Sequence, residues 1–290
     1  MIKYDMPLYR PPSEARSLII QVTLGCSHNK CTFCSMYKSK NFKARSFEEI
    51  QEDLKIARES YPVVKRIFLA DGDALILSMG RLVPILEEIQ QMFPECERIG
   101  IYGTSRSIHN KTEEDLRTLF QLGIKIVYMG LESGDDKILE NIQKGEKTED
   151  VVRAGKKLMR SGIKLSVTVI SGLGGTDRKE IHPLETAKAL SEMKPDYIGF
   201  LALMIEQGTP LYDLYQQGRF IPLSASDIVD EMIIFLSTID SEGTIFRCNH
   251  ASNYFVLSGT LNRDVPLMLS ELGSVKEDLS ILKDERFRRL

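Results

Sequence analysis

The sequence predicts an α/β protein built around a largely parallel sheet, and two observations carry this prediction. Six short apolar runs have the length of β-strands, and longer segments with helical spacing of apolar residues separate them. Strands that are apolar on both faces and alternate with helices are typical of parallel sheets covered by helices. The six runs are Ser17–Leu24, Arg66–Asp71, Arg98–Gly103, Ile124–Leu131, Lys164–Ile170 and Asp196–Leu201.

The helices between these strands are predicted from their start signals and apolar faces. Ser46 begins a capping box with Glu49, and Thr112 and Thr148 precede acidic residues as helix caps do. Two further segments, Met79–Phe93 and Glu180–Met193, carry apolar residues at helical spacing. Six βα units therefore follow one another along the chain.

After residue 205 the strand–helix rhythm changes. A turn at Glu206–Pro210 leads into two helical segments, Leu211–Gln217 and Ser224–Thr238, and the chain finishes in a charged helical tail. We therefore expect a domain over residues 1–205 and a mainly helical extension over residues 206–290. The extension has no linker before it, so we expect it to pack on the first part as the same globular unit.

Composition limits the classes of function. A net charge of −3 over 290 residues argues against general binding to DNA, and no apolar run is long enough to span a membrane. The amino terminus shows neither a secretory core nor a lipidation motif. Three of the five cysteines are clustered, which is typical of metal ligands in a reducing compartment. We expect a cytoplasmic protein.

The cysteine cluster lies directly after the first predicted strand. Cys26, Cys31 and Cys34 have the spacing Cys-x4-Cys-x2-Cys. Structural zinc sites and ordinary iron–sulfur sites take four ligands, so three thiolates leave one position open. A zinc site would need a second pair of cysteines, and none follows. His28 lies inside the same tight loop and would have to fold back to act as a fourth ligand.

This loop resembles the signature of the radical S-adenosylmethionine (radical SAM) superfamily, whose commoner spacing is Cys-x3-Cys-x2-Cys. The extra residue must bulge the loop between Cys26 and Cys31, and Phe33 fits the superfamily's habit of an aromatic residue before the last cysteine. Periodicity does not distinguish an open sheet from a closed one. The resemblance implies a partial (β/α)6 barrel, a [4Fe–4S] cluster and S-adenosylmethionine. Ligands then belong at the carboxyl ends of the strands.

The second and third strand ends resemble cofactor-binding segments of that superfamily. Gly72 and Asp73 match loosely a Gly-Gly-Glu-like motif that binds the methionyl amine. Thr104, after the third strand, is a further candidate cofactor ligand. As a bare sequence the Asp71–Asp73 turn is simply one that ends a strand.

The fourth and fifth strand ends extend the resemblance. The segment Gly130–Ser133 is similar to one in oxygen-independent coproporphyrinogen oxidases and methylthiotransferases, which implies that Glu132 binds the cofactor's ribose. Lys144 stands where those relatives place a cation facing the methionyl carboxylate, although most such lysines are simply solvated. Thr168 occupies the place of a second ribose partner, before a glycine-rich turn that lacks the ending of a phosphate-binding P-loop.

The resemblance implies a radical enzyme. An electron donor such as flavodoxin or ferredoxin would reduce the cluster, and reductive cleavage of S-adenosylmethionine would give a 5′-deoxyadenosyl radical that abstracts a substrate hydrogen atom. We expect an oxidase, lyase or mutase acting on a small molecule rather than on RNA or peptide. A methylthiotransferase is disfavoured, because that family brings additional domains. The alternative is a non-catalytic iron–sulfur electron carrier or cluster scaffold.

The segment Arg247–Tyr254 is the remaining candidate for catalysis. It is dense in hydrogen-bonding side chains, which are costly to bury without partners. Cys248 could donate a hydrogen atom, and His250 could act as an acid or base. The alternative is that this segment closes the open side of the barrel with a satisfied polar network.

Overall fold

The computed structural model describes residues 2–289, which divide into two compact units. The first consists of residues 2–29, 36–129 and 154–165, and the second of residues 30–35, 130–153 and 166–289. Among the described residues, no helix is both long enough and apolar enough to cross a membrane.

The first unit contains the strands that open the chain. These strands are β1 (Leu18–Gln21), β2 (Thr23–Leu24), β3 (Lys43–Ala44), β4 (Arg66–Ala70), β5 (Arg98–Tyr102) and β6 (Ile124–Glu132). Parallel pairing joins β1 to β4, β4 to β5, and β5 to the start of β6, while β2 and β3 form a small antiparallel pair. Its helices are α1 (Phe47–Ser60), α2 (Met79–Met92), α3 (Ser105–His109) and α4 (Glu113–Gln121).

The second unit continues the alternation. β7 (Lys164–Ser171), β8 (Tyr197–Ala202) and β9 (Ile245–Cys248) pair in parallel, and β10 (Leu257–Thr260) lies antiparallel to β9. Its helices are α5 (Asp136–Asn141), α7 (Ile181–Met193), α8 (Pro210–Gln216), α9 (Ala225–Thr238) and α10 (Val265–Glu277). Helix α6 (Thr148–Arg160) has residues in both units.

The strand order is β1-β4-β5-β6 for the strands that open the chain and β7-β8-β9-β10 for those of the second unit, and β2 and β3 form a separate small pair. The α/β prediction is confirmed, and each of the six predicted strands is present within a few residues. The residues after 205 carry the expected helices but also β9 and β10, which the sequence did not predict. Polar residues follow the short apolar start of β9 at once, so no strand-length apolar run marks it.

Most predicted helix starts are confirmed by their hydrogen bonds. Ser46 and Thr112 accept a bond from the backbone N–H three residues on, which completes a capping box in each case. Thr148 is different, and its assignment as a cap was wrong. It is the first residue of α6, its N–H donates to Asp136 Oδ1 at 2.8 Å, and its hydroxyl donates to the Gly134 carbonyl at 3.0 Å. Asp136 therefore supplies the acceptor that a cap would supply.

Candidate functional site

The cysteine loop has no regular secondary structure from residue 25 to residue 34. None of its three cysteines forms a disulfide, and all three are half-buried. Gly25 and Asn29 have left-handed backbone, with φ of 74° and 46°, and Asn29 tolerates it because its short amide side chain bonds locally. The amide of Asn29 donates to the Tyr37 carbonyl at 2.9 Å, which holds the loop where the extra residue was expected to bulge it.

Gly72, in the first unit, lies directly against Cys26. A Cβ at this position would come within 2.8 Å of the Tyr37 ring and 3.0 Å of the Cys26 Cβ. The Gly72 N–H donates to the Gly25 carbonyl at 3.1 Å. Glycine is therefore required because the turn after β4 and the cysteine loop approach closely.

Asp71 holds the same two segments together by its side chain. It is fully buried, and its carboxylate accepts from the Gly25 N–H and from Lys40 Nζ, each at 3.0 Å. Gln21 donates to its other oxygen at 3.2 Å. A buried carboxylate needs such donors, so Asp71 is a structural clamp. The sequence did not identify Lys40 as its partner.

Asp73 and Thr104, two of the candidate cofactor ligands, are brought together. Both the Thr104 hydroxyl, at 3.2 Å, and the Ser27 hydroxyl donate to Asp73 Oδ2. Asp73 is fully buried, and Thr104 caps the short helix α3. The contact ties the ends of β4 and β5 to the cysteine loop.

Tyr37 was missed by the sequence reasoning. Its side chain is buried against Gly72, and among residues 2–289 no hydrogen-bond partner reaches its hydroxyl. Burial raises the pKa of this phenol well above its usual value, and the Asp71 carboxylate raises it further. Its place three residues after Cys34 was the only available signal. A buried hydroxyl beside Cys26 is suited to donate to a group bound at that cysteine.

In the second unit, backbone bonds anchor the later part of the cysteine loop. The Thr32 N–H donates to the Ile142 carbonyl at 2.9 Å, and its carbonyl accepts from the Leu211 N–H at 3.0 Å. Phe33 packs against an apolar cluster at the end of β7 that includes Ile170 and Leu173. Burial of the Phe33 ring therefore fixes the backbone between Cys31 and Cys34.

Glu132 and Lys144, predicted separately, form an ion pair. Lys144 Nζ lies 2.9 Å from Glu132 Oε1, and both side chains are close to nine-tenths buried. Glu132 has left-handed backbone with φ of 64°, and a Cβ on Gly130 would lie only 1.9 Å from its carboxylate. Burial alone would lower the pKa of Lys144, but the Glu132 carboxylate and then the Cys31 sulfur outweigh it and raise that pKa. Lys144 is therefore a cation beside Cys31.

Thr168 lies within β7, opposite Gly199 of β8. It is half-buried, and it alternates along the strand with the fully buried Val167 and Val169. The turn that follows β7 carries Gly172 and Gly175, both with positive φ, as a tight turn at a strand end requires.

Cys248 and His250 stand at the carboxyl end of β9, which runs parallel to β8. Cys248 is 2% exposed, and burial raises the pKa of its thiol to about 12. His250 Nδ1 lies 2.9 Å from Ser252 Oγ, and burial, aided by the Lys283 ammonium, lowers the pKa of the imidazole. Neither group is positioned as an ionised catalyst in this state, because both are held in their neutral forms.

The polar groups around His250 have protein partners. Asn253 donates its amide to the Phe200 carbonyl at 2.8 Å, and Arg288 donates to the Ser252 carbonyl at 2.6 Å. The Arg288 guanidinium also binds the Tyr254 hydroxyl and the Leu203 carbonyl. Several polar groups of this segment are therefore hydrogen-bonded within the second unit.

A single metal ion and an iron–sulfur cluster require different arrangements of ligands. Among residues 2–289, no three His, Cys, Asp or Glu side chains lie close enough together to hold a single metal ion. A [4Fe–4S] cluster is held by cysteine thiolates. Three cysteines without disulfides lie on one irregular loop, and Gly72 lets the turn after β4 pack closely on Cys26, so the cysteine set fits such a cluster.

Comparison with known proteins identifies the family. The Radical SAM superfamily model matches residues 20–200, more than half of the chain. The heme chaperone HemW of Bacillus subtilis is 24% identical over 196 residues, covering 67% of this chain and 50% of HemW. The tRNA uridine(34) acetyltransferase of Methanocaldococcus jannaschii is 23% identical over 171 residues, covering 59% of this chain and 29% of that protein. This chain thus spans half of one relative and less of the other.

A solved structure agrees in fold. The radical S-adenosylmethionine methyltransferase TsrM of Kitasatospora setae, with cobalamin and a [4Fe–4S] cluster bound, superposes with a TM-score of 0.56 at 18% identity. The match covers 69% of this chain and 39% of TsrM. It confirms the expected fold class, the partial barrel of this superfamily with a carboxyl-terminal extension. The superfamily uses a [4Fe–4S] cluster and S-adenosylmethionine, the two cofactors expected from the cysteine loop. This chain is a member of the radical SAM superfamily.

Proposed function

We propose that this protein is a radical SAM enzyme in which Cys26, Cys31 and Cys34 hold the [4Fe–4S] cluster. One observation carries the proposal: the three cysteines are half-buried on one loop and form no disulfide, and the turn at Gly72 is packed directly on Cys26. An electron carrier normally closes its cluster with a fourth cysteine, and this loop offers none. When bound, the cluster supplies the electron that cleaves S-adenosylmethionine.

The residues proposed to bind S-adenosylmethionine offer complementary charges. Glu132 can accept hydrogen bonds from ribose hydroxyls, and Lys144 can pair with the methionyl carboxylate as a point charge. Their ion pair places the two side chains together in a nearly buried position. Gly72 lets the turn after β4, the proposed partner of the methionyl amine, lie directly against Cys26, and the contact between Asp73 and Thr104 supports that turn. Phe33 and Thr168 complete the proposed set.

The reaction we propose is abstraction of a hydrogen atom from a small molecule in an oxidase, lyase or mutase, with a reduced flavodoxin or ferredoxin as electron donor. A net charge of −3 supports a small substrate over RNA. RNA is the competing substrate, since one relative is named for acting on tRNA. In this proposal Cys248 donates a hydrogen atom to the substrate and His250 acts on it as an acid or base, because both residues lie at the carboxyl end of a parallel strand.

The test is anaerobic reconstitution followed by assay of 5′-deoxyadenosine formation with candidate metabolites and with bulk tRNA. Alanine at Cys26, Cys31 or Cys34 should abolish cluster binding and cleavage, while Cys96→Ala should leave both unchanged. A cluster that forms but never cleaves S-adenosylmethionine would identify an electron carrier or scaffold instead. Acceleration by tRNA alone would overturn the small-molecule assignment.

A further inference from the structure

A buried polar network in the second unit joins the segment after β6 to the turn after β7. It contains Ser133, His182 and Glu231, each at most 2% exposed. His182 comes from the first turn of α7 and Glu231 from α9. Neither residue belongs to the cysteine loop or to the proposed set of cofactor ligands.

His182 connects the two segments through its two ring nitrogens. Nε2 lies 3.1 Å from the Ile170 carbonyl, which can only accept, so Nε2 carries the proton. Nδ1 then accepts from the Ser133 hydroxyl at 2.8 Å. Ser133 directly follows Glu132, and Ile170 is the penultimate residue of β7, just before the glycine-rich turn. The imidazole therefore sets the spacing of both backbone segments.

Glu231 fixes the turn after β7 from the other side. Its Oε1 accepts from the Ser171 hydroxyl at 2.6 Å and from the Gly172 N–H at 2.8 Å, and lies 3.8 Å from His182 Nε2. Among the described residues, Oε2 is buried without a hydrogen-bond partner. Burying a carboxylate in this way is costly, so a role in packing alone does not explain it.

Gly134 shows how closely the same segment is held to α7. Its N–H donates to the Thr186 hydroxyl at 2.9 Å, and a Cβ on it would lie 2.3 Å from the Glu185 carbonyl. Thr186 in turn lies 3.3 Å from His182 Nδ1. Contacts with α7 therefore restrain the backbone next to Glu132, and a small displacement of His182 would shift the position of Glu132.

We infer that Glu231 and His182 are positioning residues that hold Glu132 and the turn at Gly172 in the geometry that receives S-adenosylmethionine. This inference rests on the proposed function, because it assigns a purpose to loops that are proposed to bind that molecule. The carboxylate orients the turn, and the imidazole passes that orientation to Ser133. Helix α9 lies beyond residue 205, so the carboxyl-terminal extension contributes to the proposed cofactor site.

The test compares Glu231→Met with a matched control, Glu14→Met. Methionine keeps the length of the side chain but removes both acceptors. Glu14 is also fully buried and hydrogen-bonded, to Tyr128 and Arg98, but it lies beside Gly100 in β5. Both variants should lose thermal stability. Glu231→Gln keeps one acceptor oxygen and serves as the conservative rescue.

Two measurements separate positioning from stability. In cluster-free protein, hydrogen–deuterium exchange should accelerate in peptides covering residues 132–135 and 170–175 for Glu231→Met but not for Glu14→Met. In reconstituted protein, the Kd for S-adenosylmethionine should rise about tenfold or more for Glu231→Met, a change expected when charge-assisted bonds are lost. Glu231→Gln should recover most of this affinity, and Glu14→Met should bind as the wild type does.

An equal loss of affinity for S-adenosylmethionine in Glu231→Met and Glu14→Met would overturn the inference. So would faster hydrogen–deuterium exchange in Glu231→Met that is confined to residues 170–175. If Glu231→Met does not fold, Ser171→Ala removes one donor to the same carboxylate, and an unchanged Kd there would also overturn it. Wild-type protein that holds a cluster but binds no S-adenosylmethionine would instead refute the proposed function, whatever the exchange data show.

Discussion

At the scale of single residues, the candidate site depends on glycines where backbone and side chains approach closely. Gly72 is in contact with Cys26 and Tyr37, and Gly130 leaves the space that the Glu132 carboxylate occupies. Both positions could be recognised in the sequence as glycines near strand ends. What they contact could not, because the contacts come from residues far away in the chain.

Gly72→Ala should lower the free energy of unfolding by about 1–3 kcal/mol, because the new methyl group overlaps the Tyr37 ring and Cys26. It should also reduce the iron bound per chain after reconstitution. Chemical denaturation and iron analysis measure the two effects. Gly80→Ala in α2 is the control, since a Cβ there meets nothing within 4 Å, and it should be neutral or slightly stabilising. Equal behaviour of the two variants would contradict this account.

Glu132→Ala should weaken binding of S-adenosylmethionine by about 1.5–3 kcal/mol, because it removes a charge-assisted acceptor and leaves Lys144 unpaired. Cluster content should not change, since Glu132 is not on the cysteine loop. Isothermal titration of the reconstituted protein measures the affinity. Glu140→Ala breaks an exposed ion pair with Lys137 and should leave binding unaltered. An unchanged affinity in Glu132→Ala would show that the end of β6 has been wrongly assigned to cofactor binding.

The sequence predicted residue types better than it predicted partners. Glu132 and Lys144 were identified from separate segments, and their ion pair became visible only in the structure. Lys40, which pairs with the buried Asp71, carried no local signal because it lies between two ordinary exposed lysines, Lys38 and Lys43. Tyr37 was likewise indistinguishable from an ordinary aromatic residue.

At the scale of helices and strands, local signals were reliable wherever the chain makes its own hydrogen bonds. The caps at Ser46 and Thr112 could be read from the sequence because all their partners lie within three residues. Strand β9 could not, because it is short and stabilised by pairing with β8. Thr148 was misread because its acceptor, Asp136, lies twelve residues away.

The turn after β9 should make stability depend on pH through His250. Burial, with Lys283, lowers the pKa of His250 in the folded protein, so the unfolded chain binds the proton more readily. The contribution of neutral His250 to the stability of the folded protein is present above the pKa of the imidazole in the unfolded chain, about 6.5. It is lost as the pH falls through the lower pKa of His250 in the folded protein. His250→Gln should flatten the fall in Tm between about pH 7 and pH 5. A Tm profile identical to that of the wild type would contradict the assignment.

At the scale of the whole molecule, the described carboxyl-terminal residues are part of the folded second unit. Arg288 is 6% exposed, and its guanidinium binds the carbonyls of Leu203 and Ser252 and the hydroxyl of Tyr254. Composition indicated a charged helical tail and gave no sign of this attachment. The sequence predicted the order of the elements, while the attachment of Arg288 to Leu203, Ser252 and Tyr254 depends on hydrogen bonds between residues far apart in the chain.

Arg288→Met should lower the free energy of unfolding by about 1–3 kcal/mol, because it leaves buried carbonyls without donors. Arg286→Met is the matched control. Arg286 is exposed and pairs with Asp284, so the change should leave the free energy of unfolding close to that of the wild type. Urea denaturation compares them. If both variants unfold at the same urea concentration as the wild type, the tail does not stabilise this unit.

The central claim is that the cysteine loop holds an iron–sulfur cluster with one iron open to S-adenosylmethionine. The most direct test is electron paramagnetic resonance of the anaerobically reconstituted and reduced protein, before and after S-adenosylmethionine is added. We expect the spectrum of one [4Fe–4S] cluster per chain, changed by S-adenosylmethionine and lost in Cys31→Ala. A spectrum that S-adenosylmethionine does not alter, or zinc as the only metal in anaerobically purified protein, would contradict the claim.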